Sequence, residues 1–362
     1  AALGMLSKKR GATPKYTTDY REVLADPTVD AIMIMTGWDA HVRISLDSMR
    51  AGKYTAVEVG VAYDISECYE MVDTYEKTGS PLMMLENCCY GKRELMVKNM
   101  VEQGIFGEIV HCDGGYCHDL RKEISYGVEN RHYRLRNYLH RNCDNYPTHA
   151  LVPLGKILKI NDGNRFTSLV SVASCAKGLH EYVIKEKGAD NPLASAQFCQ
   201  GDVVTTVIRC ANGQTVRITL DTTLPRAYSR QFTVRGTKGA YFEDMDAVYI
   251  DGQTDEAEFD AKKIWDNAKD YEKDYQHPLW RDYQKTDDHG GIDYLVLRAF
   301  FESVMLGVEP PIDVYDMATY MSISVLSEES IANGSVNVAV PDFTNGKWTF
   351  RKEYPEFKYA LR

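Results

Sequence analysis

The 362-residue sequence has no apolar run approaching the roughly 18 to 20 residues that a membrane-spanning helix needs. It also lacks a basic start followed by an apolar stretch and a small-residue cleavage site, which argues against a secretory leader. Cations are in deficit, with 42 Lys and Arg against 52 Asp and Glu and a formal net charge of -10. Phosphate backbones and anionic membranes are bound by clustered Lys and Arg, so neither nucleic acid nor membrane is expected as a partner. A neutral small substrate suits this charge better. The nine cysteines, adjacent Cys88 and Cys89 among them, are an odd number spread through periodic segments rather than a stapled framework. Reduced thiols and a cytoplasmic location are the expectation. Internal repeats and low-complexity tracts are lacking as well.

What is present reads as an ordinary globular chain, 44% hydrophobic and 26% charged, long enough for two domains. From Val29 to Asn87, strand-like runs at 30–35, 54–59 and 82–87 alternate with helical ones at 40–51 and 64–78. Such alternation implies crossover units and a parallel sheet. Each strand ends where polar residues begin: Thr36, Trp38 and His41, then Glu58, then Glu86 and Asn87. Ligands of open α/β sheets bind at these carboxyl ends, so the polar residues line one crevice. A helix is predicted over 93–103, and the period changes near Phe106. Segments 108–116, 166–174, 203–210, 215–223, 231–244 and 247–252 read as strands, several joined by turns at Asn212-Gly213 or Lys238-Gly239. Helices are predicted at 147–159, 291–306 and 313–333. Gly252 to Lys285 is acidic, polar and aromatic without a period, and reads as a surface excursion.

Tyr16 to Gly60 (YTTDYREVLADPTVDAIMIMTGWDAHVRISLDSMRAGKYTAVEVG) resembles the latter half of a Gfo/Idh/MocA cofactor domain, ordered over some 45 residues. Further on, ENCCYG (86–91), GGYCHD (114–119), RHYRLRNYLHRN (131–142), YPTH (146–149) and HGGIDY (289–294) are similar to the branch containing glycoside hydrolase family 109. That branch includes NAD-dependent α-N-acetylgalactosaminidases and related glycoside oxidoreductases. The resemblance covers nearly the whole chain. It implies an α/β Rossmann-type cofactor domain followed by an α+β domain with a large, mainly antiparallel sheet. It divides the chain into a partial dinucleotide-binding domain over 1–105 and a substrate-binding and oligomerisation domain over 106–362. It further implies NAD as cofactor and a dimer or tetramer as the assembly.

Two departures stand out. Family members open with a strand, a G-x-G-x-x-G turn and a second strand ending in an acid, which together hold pyrophosphate and ribose. None of these precedes Tyr16, where the opening AALGMLSKKRGATPKY looks like the end of a helix. The N-terminal part of the cofactor domain, roughly 40 to 60 residues by analogy with the family's βαβ unit, is therefore expected to be absent from this chain. The superfamily's Glu-Lys-Pro is Glu58-Val59-Gly60 here. The family 109 branch also lacks that Lys, having Glu-Val-Pro, so the departure agrees with the branch.

Carried over by motif, cofactor contacts fall to Trp38, Asp39, Ala40, His41, Glu58, Val59, Asn87, Arg134, Pro147 and Thr148. Substrate contacts fall to Tyr116, Tyr146, Tyr228 and His289. Read without the family, Trp38 is either a cover for a helix start or a surface for nicotinamide or ribose. Glu58 ends an apolar strand, where a carboxylate is costly to bury unless hydrogen-bonded; it binds the cofactor or caps a helix. Tyr146 and His149 lie three apart at the start of a helical run and so share a face. Taking hydride from an alcohol requires removing its hydroxyl proton, and His titrates near operating pH. His149, with Tyr146, is the catalytic candidate; the alternative is a structural His at a domain junction. Arg134 sits among Arg131, Arg136 and Arg141, a run that is solvated by default, and only the motif singles it out. Tyr116 and Tyr228 follow strand-like segments and either bind sugar hydroxyls or cap the sheet. His289 precedes two glycines that permit close approach to a ligand; it is a second acid/base or a turn residue. No metal is expected at HCDGGYCHD, because Cys112 and Cys117 are five apart and point to opposite faces of a strand.

The expected activity is NAD-dependent removal of hydride from a ring hydroxyl, at carbon 3, of a sugar or glycoside. The alternative is a redox-neutral glycosidase that oxidises carbon 3, eliminates the aglycone, adds water and returns the hydride. A third reading is a cofactor-bound regulatory protein without activity; the surviving site-like residues, His149 above all, speak against it.

Overall fold

The computed structural model describes residues 7–9, 11–283, 288–350 and 356–361; the end of the 252–285 excursion and most of the opening segment's first residues lie outside the described residues. Strands β1 (Ala31–Ile34), β2 (Tyr54–Val57) and β3 (Leu82–Met84) form a parallel sheet in that order. Parallel neighbours need crossovers, and α1 (Trp38–Arg50) and α2 (Ile65–Thr78) supply them. α1 starts two residues before its predicted position because Gly37, in extended backbone, serves as its N-cap. α2 is bracketed by a capping box between Asp64 and Glu67 and by left-handed Gly79. β3 stops at Met84. Leu85 still donates to Val57, after which Glu86 turns the chain into a tight 3₁₀ turn over Asn87–Tyr90. Along β1 runs an apolar groove of about 360 Å³ between Leu24, Ile32, Met33 and Ile44.

Helix α3 (Lys92–Glu102) leads into a second, eight-stranded sheet. Its strands are β4 (Ile109–Cys117), β5 (Phe166–Ala173), β6 (Val203–Cys210), β7 (Thr215–Asp221), β8 (Thr233–Gly236), β9 (Gly239–Phe242), β10 (Ala247–Ile250) and β11 (Val338–Ala339), in the order β10-β9-β8-β4-β7-β6-β5-β11. All pairs are antiparallel except β4 with β7. The β6–β7 hairpin turns at Asn212-Gly213, where Gly213 has φ 95. One face of the sheet is covered by helices. α5 (Thr148–Ile157) lies on β4, and Gly114 permits the approach, since a Cβ there would meet Ala150 Cβ at 2.9 Å. α8 (Val314–Ala332) packs on both β5 and α2, joining the two sheets into one core. The other face leaves Val110, Val172 and Val207 exposed.

Sequence periodicity missed α4 (Arg134–His140) and α6 (Gly178–Lys187). The stretch read as a surface excursion needs correction. It folds into short helical turns that bury Ile264, Ala268, Leu279 and Trp280. The Trp280 indole donates to Tyr90 O at 2.9 Å, and Arg93 pairs with both Asp246 and Glu272 at 2.6 Å. α7 (Ile292–Leu306) follows and packs on the Asn87–Tyr90 turn. All nine cysteines are free, seven of them buried. Among the described residues no helix is long and apolar enough to cross a membrane.

Candidate active site

The carboxyl ends of β2 and β3 meet the last residues of β4 and the first turn of α5, and polar side chains converge there. Glu86 is fully buried and caps the 3₁₀ turn by accepting from Cys88 N at 3.1 Å. Its carboxylate faces the imidazole of His149, with Nδ1 2.8 Å from Oε1 and 3.0 Å from Oε2. Burial alone would raise the Glu86 pKa, but His149 holds it below its ordinary value. Burial likewise works against a charged His149, yet Cys88 and Glu86 outweigh it and push the imidazole up to about 10. Nδ1 faces Glu86, so Nε2 is the ring nitrogen left to face a ligand. Glu58 sits at the next strand end, its Oε2 accepting from Val59 N at 3.1 Å. Burial, with Glu86 adding repulsion, raises its pKa.

Around His149 stands a box of aromatic rings. Tyr146 is 4.7 Å away between ring centroids and Tyr116 is 5.5 Å away. Tyr116 packs on Tyr146 at 4.4 Å, and Trp38 stacks on Tyr146 at 5.5 Å. Tyr228, half exposed, closes the outer side through edge contacts to Tyr116 and His118. Into this box reaches the buried Arg134, whose guanidinium lies 4.8 Å from the Tyr146 ring and 5.1 Å from Trp38. Its Nε is 2.7 Å from Glu123 Oε1, an ion pair without good hydrogen-bond alignment, since neither atom has a hydrogen bond. A guanidinium over ring faces gains electrostatic attraction in place of its lost hydration.

The sequence-predicted residues fall into three groups. His149, Tyr146, Tyr116, Tyr228, Trp38 and Arg134 come together as described. Asp39 and Ala40 lie on the first turn of α1, and Val59, Pro147 and Thr148 are buried at the strand ends. His41 is 1% exposed and donates through Nε2 to Thr36 O, 2.9 Å away. Gly60 explains how it fits: a Cβ there would meet His41 Nδ1 at 2.8 Å, so the departure from Pro gives this ring its place. His289 and Asn87 are joined beside this cluster, through Asp293. Asn87 Nδ2 donates to Asp293 Oδ1 at 2.6 Å, and His289 Nδ1 lies 2.6 Å from Oδ2. Within the arginine run, Arg134 and Arg141 are buried while Arg131 and Arg136 are exposed.

Sequence reasoning missed His118, Tyr133 and Asp293 as neighbours of the site and left Glu86 without a partner. His118 carried a signal, since it lies two residues from Tyr116 and period-two alternation puts both on one face. The tempting HCDGGYCHD cluster does not close. His111 spends its nitrogens on Thr215 and Asp113, at 2.7 and 3.1 Å. The group of metal-ligating types that does converge among the described residues is Glu86, Cys88 and His149. There the carboxylate and Nδ1 already satisfy each other, and no ion is assigned. Polar atoms at the strand ends do fit a nucleotide-type cofactor: His41 Nδ1 and Thr148 Oγ1 are buried without a partner, and buried polar groups require one.

Comparison with known proteins agrees with this geometry. The model of the oxidoreductase family with an NAD-binding Rossmann fold matches residues 6–86, and that of the glycosyl hydrolase 109 C-terminal domain matches 90–350. The first match starts ahead of Tyr16, correcting the expectation that the N-terminal part of the cofactor domain is absent, although residues 6–86 contain no G-x-G-x-x-G run. An alpha-N-acetylgalactosaminidase of Tannerella forsythia is 38% identical over 92% of this chain and 75% of its own length. Another, from Shewanella oneidensis, is 37% identical over 96% and 77%. Levoglucosan dehydrogenase solved with NADH and levoglucosan shares the fold, with a TM-score of 0.68 at 19% identity, covering 94% of this chain and 87% of that one.

Proposed function

Because this chain belongs to the glycosyl hydrolase 109 family, on the NAD-binding fold of the Gfo/Idh/MocA oxidoreductases, we propose that it cleaves an α-N-acetylgalactosaminide by a redox-neutral route. In this reading the hydroxyl at carbon 3 is oxidised, the neighbouring carbon-2 hydrogen becomes acidic, the aglycone is eliminated, water adds, and carbon 3 is reduced again. Bound NAD supplies the acceptor and later the donor of hydride. The observation that carries the reading is the His149–Glu86 pair inside the tyrosine box.

His149 takes the hydroxyl proton at Nε2, while Glu86 fixes the ring through Nδ1 and stabilises the imidazolium that results. Tyr146, Tyr116 and Tyr228 line the space beside it and bind sugar hydroxyls. Trp38, Asp39, Ala40, His41, Glu58, Val59, Asn87, Arg134, Pro147 and Thr148 form the wall toward the cofactor. The division into a cofactor part over 1–105 and a substrate and assembly part over 106–362 belongs to the same reading. So does pairing of two copies through the uncovered sheet face. Net oxidation to a 3-keto glycoside shares the first half of this sequence, and the relatives' activities carry the reading on to bond cleavage.

The test is incubation with a 4-nitrophenyl α-N-acetylgalactosaminide at catalytic NAD. Aglycone release over many turnovers without net NADH is expected. NADH accumulating in step with ketone, with the aglycone retained, would replace cleavage by net oxidation.

A further inference from the structure

His289 is a costly residue to place where it is. It stands at φ 42, ψ 39, in the left-handed region, followed by Gly290 and Gly291 at φ 72 and 96. A non-glycine residue there is disfavoured by roughly 1 kcal/mol or more. The turn is held shut by the Tyr283 hydroxyl, which donates to Gly291 O at 2.7 Å while its ring stacks on Tyr294. What the turn achieves is the docking of His289 Nδ1 on Asp293 Oδ2 at 2.6 Å, with the side chain 74% exposed. Asp293 is in turn fixed through its other oxygen by Asn87. Asn87 follows Glu86 in the chain, and Glu86 holds His149. Two histidine–carboxylate pairs therefore hang from successive residues at the end of β3, one deep in the tyrosine box and one exposed. The exposed pair borders a cavity of about 210 Å³ whose walls include Lys92, Arg230, Tyr241, Trp280 and Gly290.

Resting on the cleavage reading above, we infer that His289 is the proton donor to the departing aglycone, positioned by Asp293, and that this cavity receives the aglycone. Besides the loss of the carbon-2 proton, cleavage needs two proton movements at separate places. The carbon-3 hydroxyl loses one, and the glycosidic oxygen must gain one. In this assignment His149 keeps the hydroxyl proton until carbon 3 is reduced again, and a second group, His289, serves the glycosidic oxygen. With carbon 3 as a ketone, the carbon-2 proton leaves to water in the cleft and its electron pair forms the carbon 1–carbon 2 double bond. The carbon 1–oxygen bond breaks with its pair going to the oxygen, which takes the Nε2 proton of His289 and leaves as a neutral alcohol. Water then adds its oxygen to carbon 1 and returns a proton to His289, while carbon 2 regains a proton from solvent. Asp293 holds the ring through Nδ1, which leaves Nε2 as the nitrogen to meet the glycosidic oxygen.

The experiment compares His289→Gln with wild type on two α-N-acetylgalactosaminides at saturating NAD, one with a 4-nitrophenyl aglycone and one with a methyl aglycone. Nitrophenolate leaves without a proton and methoxide does not. His289→Gln should lose roughly 10²-fold or more in turnover of the methyl glycoside, and at least ten times less on the nitrophenyl one. In heavy water, uncleaved methyl glycoside recovered from the variant should still gain deuterium at carbon 2, since that step precedes departure. Asp293→Asn should show the same pattern more weakly. Equal losses on the two aglycones, or no loss on either, would overturn the assignment. Wild type releasing neither aglycone would instead refute the cleavage reading beneath it.

Discussion

Replacing Glu86 with Gln isolates the electrostatics of the proposed base. In the wild type, His149 is pushed up to about 10 although burial works the other way, with Cys88 and Glu86 responsible. A group with a raised pKa holds its proton below that value, so at pH 7 only about one His149 in a thousand is the neutral base. Turnover should therefore climb with pH. Gln keeps an acceptor for Nδ1 but removes the charge, leaving burial opposed by Cys88 alone. The ascending limb of kcat/KM should move down by roughly one to three pH units, each worth about 1.4 kcal/mol. Stability changes with it. The raised His149 contributes fully below 6.5 and loses its contribution as pH rises toward about 10. The lowered Glu86 contributes above 4.5 and loses its contribution as pH falls. The pair is thus at full strength between those values, and the variant should lose most thermal stability near pH 5.5. The assay is a pH–rate profile at saturating NAD with a nitrophenyl glycoside, alongside Tm from pH 5 to 10. An ascending limb that stays within a few tenths of a unit would refute the pairing as the control of the base.

Three further outcomes are expected. His149→Asn should retain the fold and cofactor binding, measured by circular dichroism and by NAD titration, and lose roughly 10² to 10⁴ in turnover; a loss under about threefold would move the base elsewhere. Gly155→Ala should cost roughly 1 to 3 kcal/mol in a denaturant melt, because its Cβ would fall 1.9 Å from the Tyr320 hydroxyl; an unchanged midpoint would show that Tyr320 can give way. The sheet face bearing Val110, Val172 and Val207 should mediate self-association, so light scattering should report a dimer or larger, and Val172→Lys with Val207→Lys should dissociate it.

The alternation of strand and helix from Val29 to Asn87 was legible because period-two and period-3.6 patterns are local, and every parallel strand lies within three residues of its expected place. β6 was read to the residue for the same reason, as its exposed and buried positions alternate. The excursion after Gly252 was not legible. Its buried residues, Ile264, Ala268, Leu279 and Trp280, are spaced by chain reversals rather than by any repeat, and its anchors lie at Tyr90 and Arg93, far away in sequence. α4 was hidden by its arginines, since the burial of Arg134 depends on aromatic rings brought from three other segments. At the site, His149 and Tyr146 could be found from spacing and motif. The Glu86–His149 and Asp293–His289 pairs could not, since 63 and 4 residues separate partners that only the β3 turn and a left-handed His289 bring together.

The central claim is that the glycosidic bond yields only after carbon 3 has been oxidised. Cleaving an α-N-acetylgalactosaminide in heavy water and locating the label in the released sugar by NMR tests it most directly. The account predicts deuterium at carbon 2 of the released sugar, with hydrogen retained at carbon 3 because the hydride that left is returned. Released sugar that keeps its original hydrogen at carbon 2 would mean direct displacement at carbon 1 and would contradict it.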